Sequence, residues 1–298
     1  MIRIAMANSQ SSLDNKKIMN KTITTTLFIA TMLLVATPVF AHQPRLVDSE
    51  AIEVIDPEIS KAYYGELTGA PHVYSINTSE PLELYVGILM PYADDSAKDV
   101  QAEIRQGEDL LQMIGGQNAD WQEMFEFFGQ STYWDGGEYK ASVDGGAYTI
   151  TVSSANNDSK YSLAIGEIEA FDGNEIINAL NLIPELKSNF FNESPISFIK
   201  SPFGWMYILI MYALAFAFGF LYRFILKKFA KGSLRGVHKN IAKSDRLVRL
   251  VMAIGLLLWA ITTSWSPLLL FFSGFALFEA IFSWCGFYAA IGKNSCPI

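Results

Sequence analysis

Residues 203–222 read FGWMYILIMYALAFAFGFLY, twenty consecutive positions without a charge. At about 1.5 Å per residue, a helix of that length crosses the roughly 30 Å hydrocarbon core of a bilayer. The chain differs in character on the two sides of this run. Residues 42–200 carry 27 acidic residues against eight basic, a formal balance of −19, whereas residues 201–298 hold only Asp245 and Glu279 against ten basic residues, a balance of +8. The net charge of −8 therefore averages two opposite electrostatic environments. Such asymmetry speaks to surroundings and partners rather than to fold. A strongly acidic domain repels a phosphate backbone, so nucleic acid is excluded as its partner.

Working toward the C-terminus, uncharged runs cover Leu250 to Trp265 and Pro267 to Phe278, the latter resuming after Glu279 as far as Ile291. The segment Thr262 to Pro267 breaks them into a tight helical hairpin, with Trp265 suited to a membrane interface. The expected membrane helices are thus 203–222, about 248–265 and about 267–291. Between the first two lie Arg223, Lys227, Lys228, Lys231, Arg235, Lys239, Lys243, Arg246 and Arg249, opposed only by Asp245. Lys and Arg near membrane ends stay inside, so 223–247 reads as a basic cytoplasmic loop.

Working toward the N-terminus, Lys16, Lys17 and Lys21 precede the apolar run Leu27 to Val39 and the small-residue site Val39-Phe40-Ala41. Residues 1–41 read as a secretory signal, with Met19 an alternative start, His42 the first residue after cleavage, and an uncleaved anchor the alternative. Signal and loop charge agree in placing residues 42–200 outside the cytoplasm and the C-terminus inside.

The external segment is predicted to be β-rich. Leu82, Leu84, Val86 and Ile88 alternate with other residues at the period of a strand. Tyr139–Val143, Tyr148–Val152 and Tyr161–Ile165 read as three short strands, with turns at Asp144-Gly145-Gly146 and Asn156-Asn157-Asp158. The pattern predicts an antiparallel β-sandwich with added helices. Residues 95–130 read as helical or irregular, with Ile104, Leu110, Leu111 and Met113 as a buried stripe and Asp120 capping a turn that carries Trp121, Met124, Phe125 and Phe128. Asp172 followed by Glu175 marks a helix start, and Ile176, Ile177, Leu180, Ile183 and Leu186 mark one face. The expected fold class is a membrane-anchored sandwich followed by three transmembrane helices, a single span and then a hairpin.

No catalytic signature is present. His42 and His72 are the histidines of the external segment, and HExxH, nucleophile-elbow, phosphate-loop and haem-attachment patterns are lacking. Neither a catalytic residue, a metal nor a cofactor is expected. Asp94, Asp95 and Asp99 lack the spacing of a calcium loop and read as a solvated acidic loop. Trp121 and Trp134, among Phe125, Phe128, Tyr133 and Tyr139, are candidate binding aromatics, with a core role as the alternative. Cys285 and Cys296 are the two cysteines, so the external domain folds without disulfides. They form a candidate thiol pair, with two unremarkable thiols as the alternative. A turn centred near Trp265–Ser266 sets Glu279 level with Met252, one turn from Arg249. A membrane carboxylate is costly unless paired, so a Glu279–Arg249 ion pair is predicted.

Two resemblances extend this reading. The stretch Ala147–Val152 followed by Lys160–Gly166 resembles the jelly-roll domains at the ends of secreted peptidases and galactose-binding-like modules, which implies binding rather than catalysis. Residues 239–298 run through Lys239-Asn240, Asp245-Arg246-Leu247-Val248-Arg249, Cys285-Gly286-Phe287-Tyr288, Ile291-Gly292 and Asn294-Ser295-Cys296-Pro297. This order resembles the YgaP-like inner-membrane domain, a two-helix module found alone or joined to rhodanese and other domains. The resemblance implies a bacterial inner membrane and helix-mediated dimerisation; combined with the signal segment and the loop charge, it makes the expected location of the 42–200 domain periplasmic. The family commonly has Cys-Pro at the first cysteine, where Cys285-Gly286 stands here. The expected function is a periplasmic ligand- or protein-binding sandwich with a dimerising or coupling hairpin. Its partners are the lipid bilayer and a second copy or an envelope protein. The alternative is a membrane thiol or sulfur-handling protein.

Overall fold

The structure, a computed structural model, describes residues 42–92, 97–127, 129–229 and 239–295, without the side chains of Lys227 and Phe229. The expected signal segment, Met19, Asp94, Asp95, Phe128, Lys231, Arg235 and Cys296 lie outside the described residues.

Among the described residues, eleven strands form two sheets. They are β1 (Gln43–Leu46), β2 (Ala51–Glu53), β3 (Lys61–Glu66), β4 (His72–Thr78), β5 (Leu82–Pro91) and β6 (Gln101–Gln106), then β7 (Asp109–Gly115), β8 (Gln122–Glu126), β9 (Ser131–Val143), β10 (Gly146–Ser153) and β11 (Lys160–Ile165). One sheet has the order β1-β3-β11-β5-β9-β8 and the other β2-β4-β10-β6-β7. Alternation along each strand builds the core. Leu84, Val86 and Ile88 of β5 and Tyr161, Leu163 and Ile165 of β11 meet Tyr74 and Ile76 of β4 and Ile150 and Val152 of β10, all fully buried. The sandwich is not wholly antiparallel, because β1 pairs with β3 and β2 with β4 in parallel. In each case an N-terminal strand adds to a sheet edge that the later hairpins leave open.

The helical reading of 95–130 is corrected. Ala102 and Ile104 point inward from β6 and Ile114 from β7, while Leu110 and Met113 face solvent. Gly107, at φ +59°, turns the chain between the two strands. The apolar positions therefore belong to two opposite strands rather than to one helical stripe. Asp120 caps no helix; Trp121 precedes β8 and is buried.

Helix α1 (Gly173–Asn189) covers the outer face of the first sheet, and its N-cap Asp172 accepts from the N–H groups of Asn174 and Glu175. Glu175 pairs with Arg45 of β1 at 2.8 Å, and Leu186 and Phe190 pack on Tyr133 and Tyr64. The stripe is half as expected: Leu180 and Leu186 are buried, whereas Ile176 and Ile177 are exposed. Lys187, 1% exposed, donates to Gln130 O, Ser131 Oγ and Glu193 Oε2 at 2.7–2.9 Å. Burial pushes its pKa down, and Glu193 opposes that shift.

A 3-10 turn (Pro195–Lys200) leads into α2 (Pro202–Phe229), followed by α3 (Lys243–Thr262), α4 (Pro267–Phe282) and α5 (Gly286–Ile291). Helix α2 includes the one stretch among the described residues, Pro202–Leu226, long and apolar enough to cross a membrane; α4 is a shorter apolar helix. The helices approach closely through small residues. A Cβ on Gly219 would lie 2.6 Å from the Phe278 ring, and Ser273 both pairs with the Tyr212 hydroxyl at 2.7 Å and donates to Ala253 O at 2.8 Å. The expected helix from 267 to 291 is broken at 283–285, where Ser283 adopts φ +53°. Asn240 bonds to the backbone of Ser283 and Cys285 at this break.

Candidate functional site

A polar cluster lies where the two ends of the C-terminal hairpin meet. Asn240 is fully buried. Its Nδ2 donates to Cys285 O at 2.9 Å, its Oδ1 accepts from Cys285 N–H at 2.7 Å, and its N–H donates to Ser283 O at 3.0 Å. Its own carbonyl accepts from Ser295 N–H at 3.1 Å, so every polar group of this side chain and its peptide is used. A buried amide so satisfied specifies one arrangement of the segments that it joins. Ser295 Oγ in turn accepts from Ala242 N–H and donates to Asp245 Oδ2.

One helical turn deeper, Arg249 Nε donates to Glu279 Oε2 at 2.9 Å, with both side chains 12–13% exposed. The second carboxylate oxygen accepts from Gly286 N–H at 3.1 Å, and Arg249 Nη1 donates to Asp245 O at 3.3 Å. Glu279 thereby joins α3, α4 and α5. Cys285, 3% exposed, caps α5 through its sulfur, which accepts from Tyr288 N–H at 3.5 Å. Arg249 faces that sulfur as well as the Glu279 carboxylate and lies over the Tyr288 ring at 5.2 Å. Cys285 is thus held between a guanidinium and a short helix, away from water. Its expected partner Cys296 lies outside the described residues.

The two candidate tryptophans of the external domain are placed differently. Trp121 is 9% exposed, donates from Nε1 to Gly116 O at 2.9 Å, and fills the space above Gly136, where a Cβ would sit 2.6 Å from the indole. Its large ring completes the sandwich core, so it is not an accessible binding residue. Trp134 is half-buried, with Tyr92 stacked on it at 4.7 Å and Lys98 Nζ 3.2 Å above its ring. Asp99 accepts from Ala155 N–H and Ser159 Oγ, which gives it a loop-bracing role. His72 is buried, with Nδ1 2.7 Å from the Tyr161 hydroxyl, itself 2.7 Å from that of Tyr74. An open cleft of about 770 Å³ lies between the β1–β3 edge and the start of α1. Its cations are engaged: Arg45 with Glu175, and Lys61 with the carbonyls of Ile55 and Asp56 at 2.6 and 2.8 Å. Burial pushes Lys61 down and the Tyr63 hydroxyl in the same cleft up to about 12. Among the described residues no group of three or more His, Cys, Asp or Glu converges as a metal site.

Asn240 and Ser295 are the site residues that spacing does not reveal. They are uncharged and short, and stand beside more conspicuous charges. Their one signal is that both stand in the short stretches, Lys239-Asn240 and Asn294-Ser295-Cys296-Pro297, on which the resemblance of residues 239–298 rests.

Residues 237–298 match the family described as Inner membrane protein YgaP-like, transmembrane domain, which covers about a fifth of the chain. No curated protein matches the chain. Among solved structures, the pre-peptidase C-terminal domain of a collagenase from Bacillus anthracis is similar at 14% identity and a TM-score of 0.27, over 40% of this chain and 97% of that one. A ruminal GH26 endo-beta-1,4-mannanase is similar at 15% identity and a TM-score of 0.22, over 37% of this chain and 20% of its own. A beta-glucosidase from Paenibacillus barengoltzii aligns at 8% identity and a TM-score of 0.21, over 43% of this chain and 13% of its own.

Proposed function

We propose that this chain, whose C-terminal segment is a YgaP-like membrane domain, is a multi-pass bacterial inner-membrane protein that binds an envelope partner through its sandwich and couples it to the hairpin. In this reading α2, α3 and α4 are the spans, the 42–200 domain is periplasmic, and the basic segment between α2 and α3 is cytoplasmic. The charge of that segment supports the orientation. The uncharged part of α3 begins at Leu250, and α4 has 16 residues, so both are short for a bilayer core; the turn into α5 extends α4.

The observation that carries the reading is the seat of Trp265. This residue of the hairpin turn is 1% exposed, donates from Nε1 to Pro195 O at 2.9 Å, and meets Phe198 edge-on at 4.9 Å. Around it Leu180 of α1, Tyr207 and Ile208 of α2, Ala260 and Ile261 of α3, and Leu270 of α4 form one cluster. Helix α1 is the link that supports coupling: its Leu180 lies in this cluster, and its Leu186 packs on Tyr133 of the sandwich.

The test uses the full chain in native envelopes, with a photo-crosslinking residue at exposed Phe125 or Gln112. Hydrogen exchange of residues 258–266 is then compared with and without the captured partner. A discrete adduct that slows exchange in wild type but not in Trp265→Ala is expected. An adduct whose effect on the turn survives Trp265→Ala removes the coupling, and failure to obtain an adduct at either position of a correctly exported chain removes the binding role.

A second reading, a thiol centre at Cys285, is favoured by the placement of its sulfur beside Arg249. Loss of function on alkylation, with the fold intact, supports it; unchanged function in Cys285→Ser eliminates it.

A further inference from the structure

Helix α1 has two faces, and they end differently. At about 100° per residue, Glu175, Leu182 and Leu186 fall on one side, the side that meets β1 and the Tyr64–Tyr133 pair. Ile177, Leu180, Asn181 and Pro184 fall on the other, within an arc of about 100°. The C-terminal half of this second face is covered. Leu180 lies in the Trp265 cluster, Pro184 is buried, and Asn181 Oδ1 accepts from the Tyr207 hydroxyl at 2.9 Å. Tyr207 is five residues into α2, about 8 Å along the helix from Pro202. The covered half of α1 is therefore level with the first turns of the membrane span. One turn earlier on the same face the cover stops: Ile177 is 60% exposed, and Ile176 beside it 39%. Ile196 of the 3-10 turn and Trp205 in the first turn of α2 are exposed at this same end of the span, at 39% and 54%.

We propose that the N-terminal turns of α1 lie in the outer interface of the bilayer, with Ile176 and Ile177 entering the boundary between headgroups and acyl chains. The occupant follows from continuity. What surrounds α2 at the level of Tyr207, where protein does not, is lipid, and the face of α1 bearing Ile177 extends from that contact. The chemistry is apolar insertion without charge attraction. Asn174, Asn178 and Asn181 flank Ile177, and Lys187, the cation of this helix, is buried in its own contacts. Zwitterionic phospholipid therefore suffices, unlike the case of basic interfacial helices. The inference does not depend on what the sandwich binds, although it shares the membrane placement of α2.

The test places the photoreactive residue p-benzoylphenylalanine at 177 in the full chain, reconstituted in phosphatidylcholine nanodiscs, and reads adducts by intact mass. Exposed Gln112 on β7 is the control site, and Ile176 is a second position should the first variant fail to fold. A lipid adduct on the order of tenfold more abundant at 177 or 176 than at 112 is expected, the preference for an isoleucine-sized side chain leaving water. Replacing a third of the lipid by phosphatidylglycerol leaves the ratio unchanged. Equal adducts at all three positions would overturn the proposal, as would a product of twice the chain mass in place of the lipid adduct. Adducts confined to anionic discs overturn the charge-independent mechanism.

Discussion

Glu279→Leu removes two acceptors together, that of Arg249 Nε at 2.9 Å and that of Gly286 N–H at 3.1 Å. Arg249 retains a 3.3 Å bond to Asp245 O and the Tyr288 ring at 5.2 Å, which do not neutralise a cation only 13% exposed. Removing one partner of a buried pair costs about 3–5 kcal/mol, of which the stranded Gly286 amide accounts for about 1–3 kcal/mol. Arg249→Met strands the carboxylate instead and is expected to cost a similar amount. In Arg249→Met/Glu279→Leu neither charge remains, and the expected loss shrinks to the amide term, about 1–3 kcal/mol. The single losses together exceed the double loss by several kcal/mol, far beyond the roughly 0.5 kcal/mol scatter of independent sites. Glu279→Gln keeps an oxygen for Gly286 N–H and falls between wild type and Glu279→Leu. Charge exchange, Arg249→Glu/Glu279→Arg, restores attraction without an acceptor for that amide, so it recovers only part of the loss while exceeding either single reversal. The assay is unfolding of the full chain in mixed micelles by SDS titration. A double variant as destabilised as the sum of the two single variants would refute the pairing, and so would a charge exchange no better folded than the single reversals.

Trp265→Ala is expected to cost about 3–5 kcal/mol through lost packing, and to open the 190–201 segment to protease while the sandwich stays folded. Cleavage within the strands instead would show that the seat stabilises the sandwich itself. Gly219→Ala drives a methyl into the Phe278 ring and is expected to lose about 1–3 kcal/mol, recovered in part by Phe278→Leu, with thermal aggregation in micelles as the readout. Burial pushes the pKa of His72 down from 6.5, opposed by Glu50. The unfolded chain therefore binds the proton more readily, and stability present above pH 6.5 is lost as the pH falls through the lower folded value. His42 shifts the same way, by burial opposed by Glu169. Melting of the sandwich should fall from pH 7 to 5, less steeply in His72→Gln and less again when His42→Gln is added; identical slopes in all three would exclude the histidines.

Where one face of a strand is buried and the other is wet, the sequence shows it: Leu84, Val86 and Ile88 alternate cleanly, as do Tyr148, Ile150 and Val152. Among the strands that escape reading, β4 and β6 alternate in burial too, whereas β7 and the parallel edges lack that contrast. β7 presents Leu110 and Met113 to solvent with Leu111 half-buried between them, and together with inward Ile104 of β6 they imitate a helical stripe. The parallel edges β1 and β2 are only four and three residues long, too short for any period, and are defined by their partners. At the hairpin, spacing sets Glu279 within a turn of Arg249, and the structure puts them 2.9 Å apart. The break at 283–285 leaves no such trace, because Asn240, which bonds to the backbone of Cys285 there, is more than forty residues away in the chain.

The bonds between Asn240 and Ser295 bring the entrance and the exit of the hairpin to one point, with Ser295 N–H on Asn240 O at 3.1 Å. The opposite end of the hairpin is fastened to what precedes it through Trp265 on Pro195 O, and along its length Phe278 packs over Gly219. A hairpin closed on itself at one end and moored at the other cannot splay or slide as a rigid rod would: parting its two helices means breaking the buried Asn240 amide from Cys285 as well as its bond to Ser295.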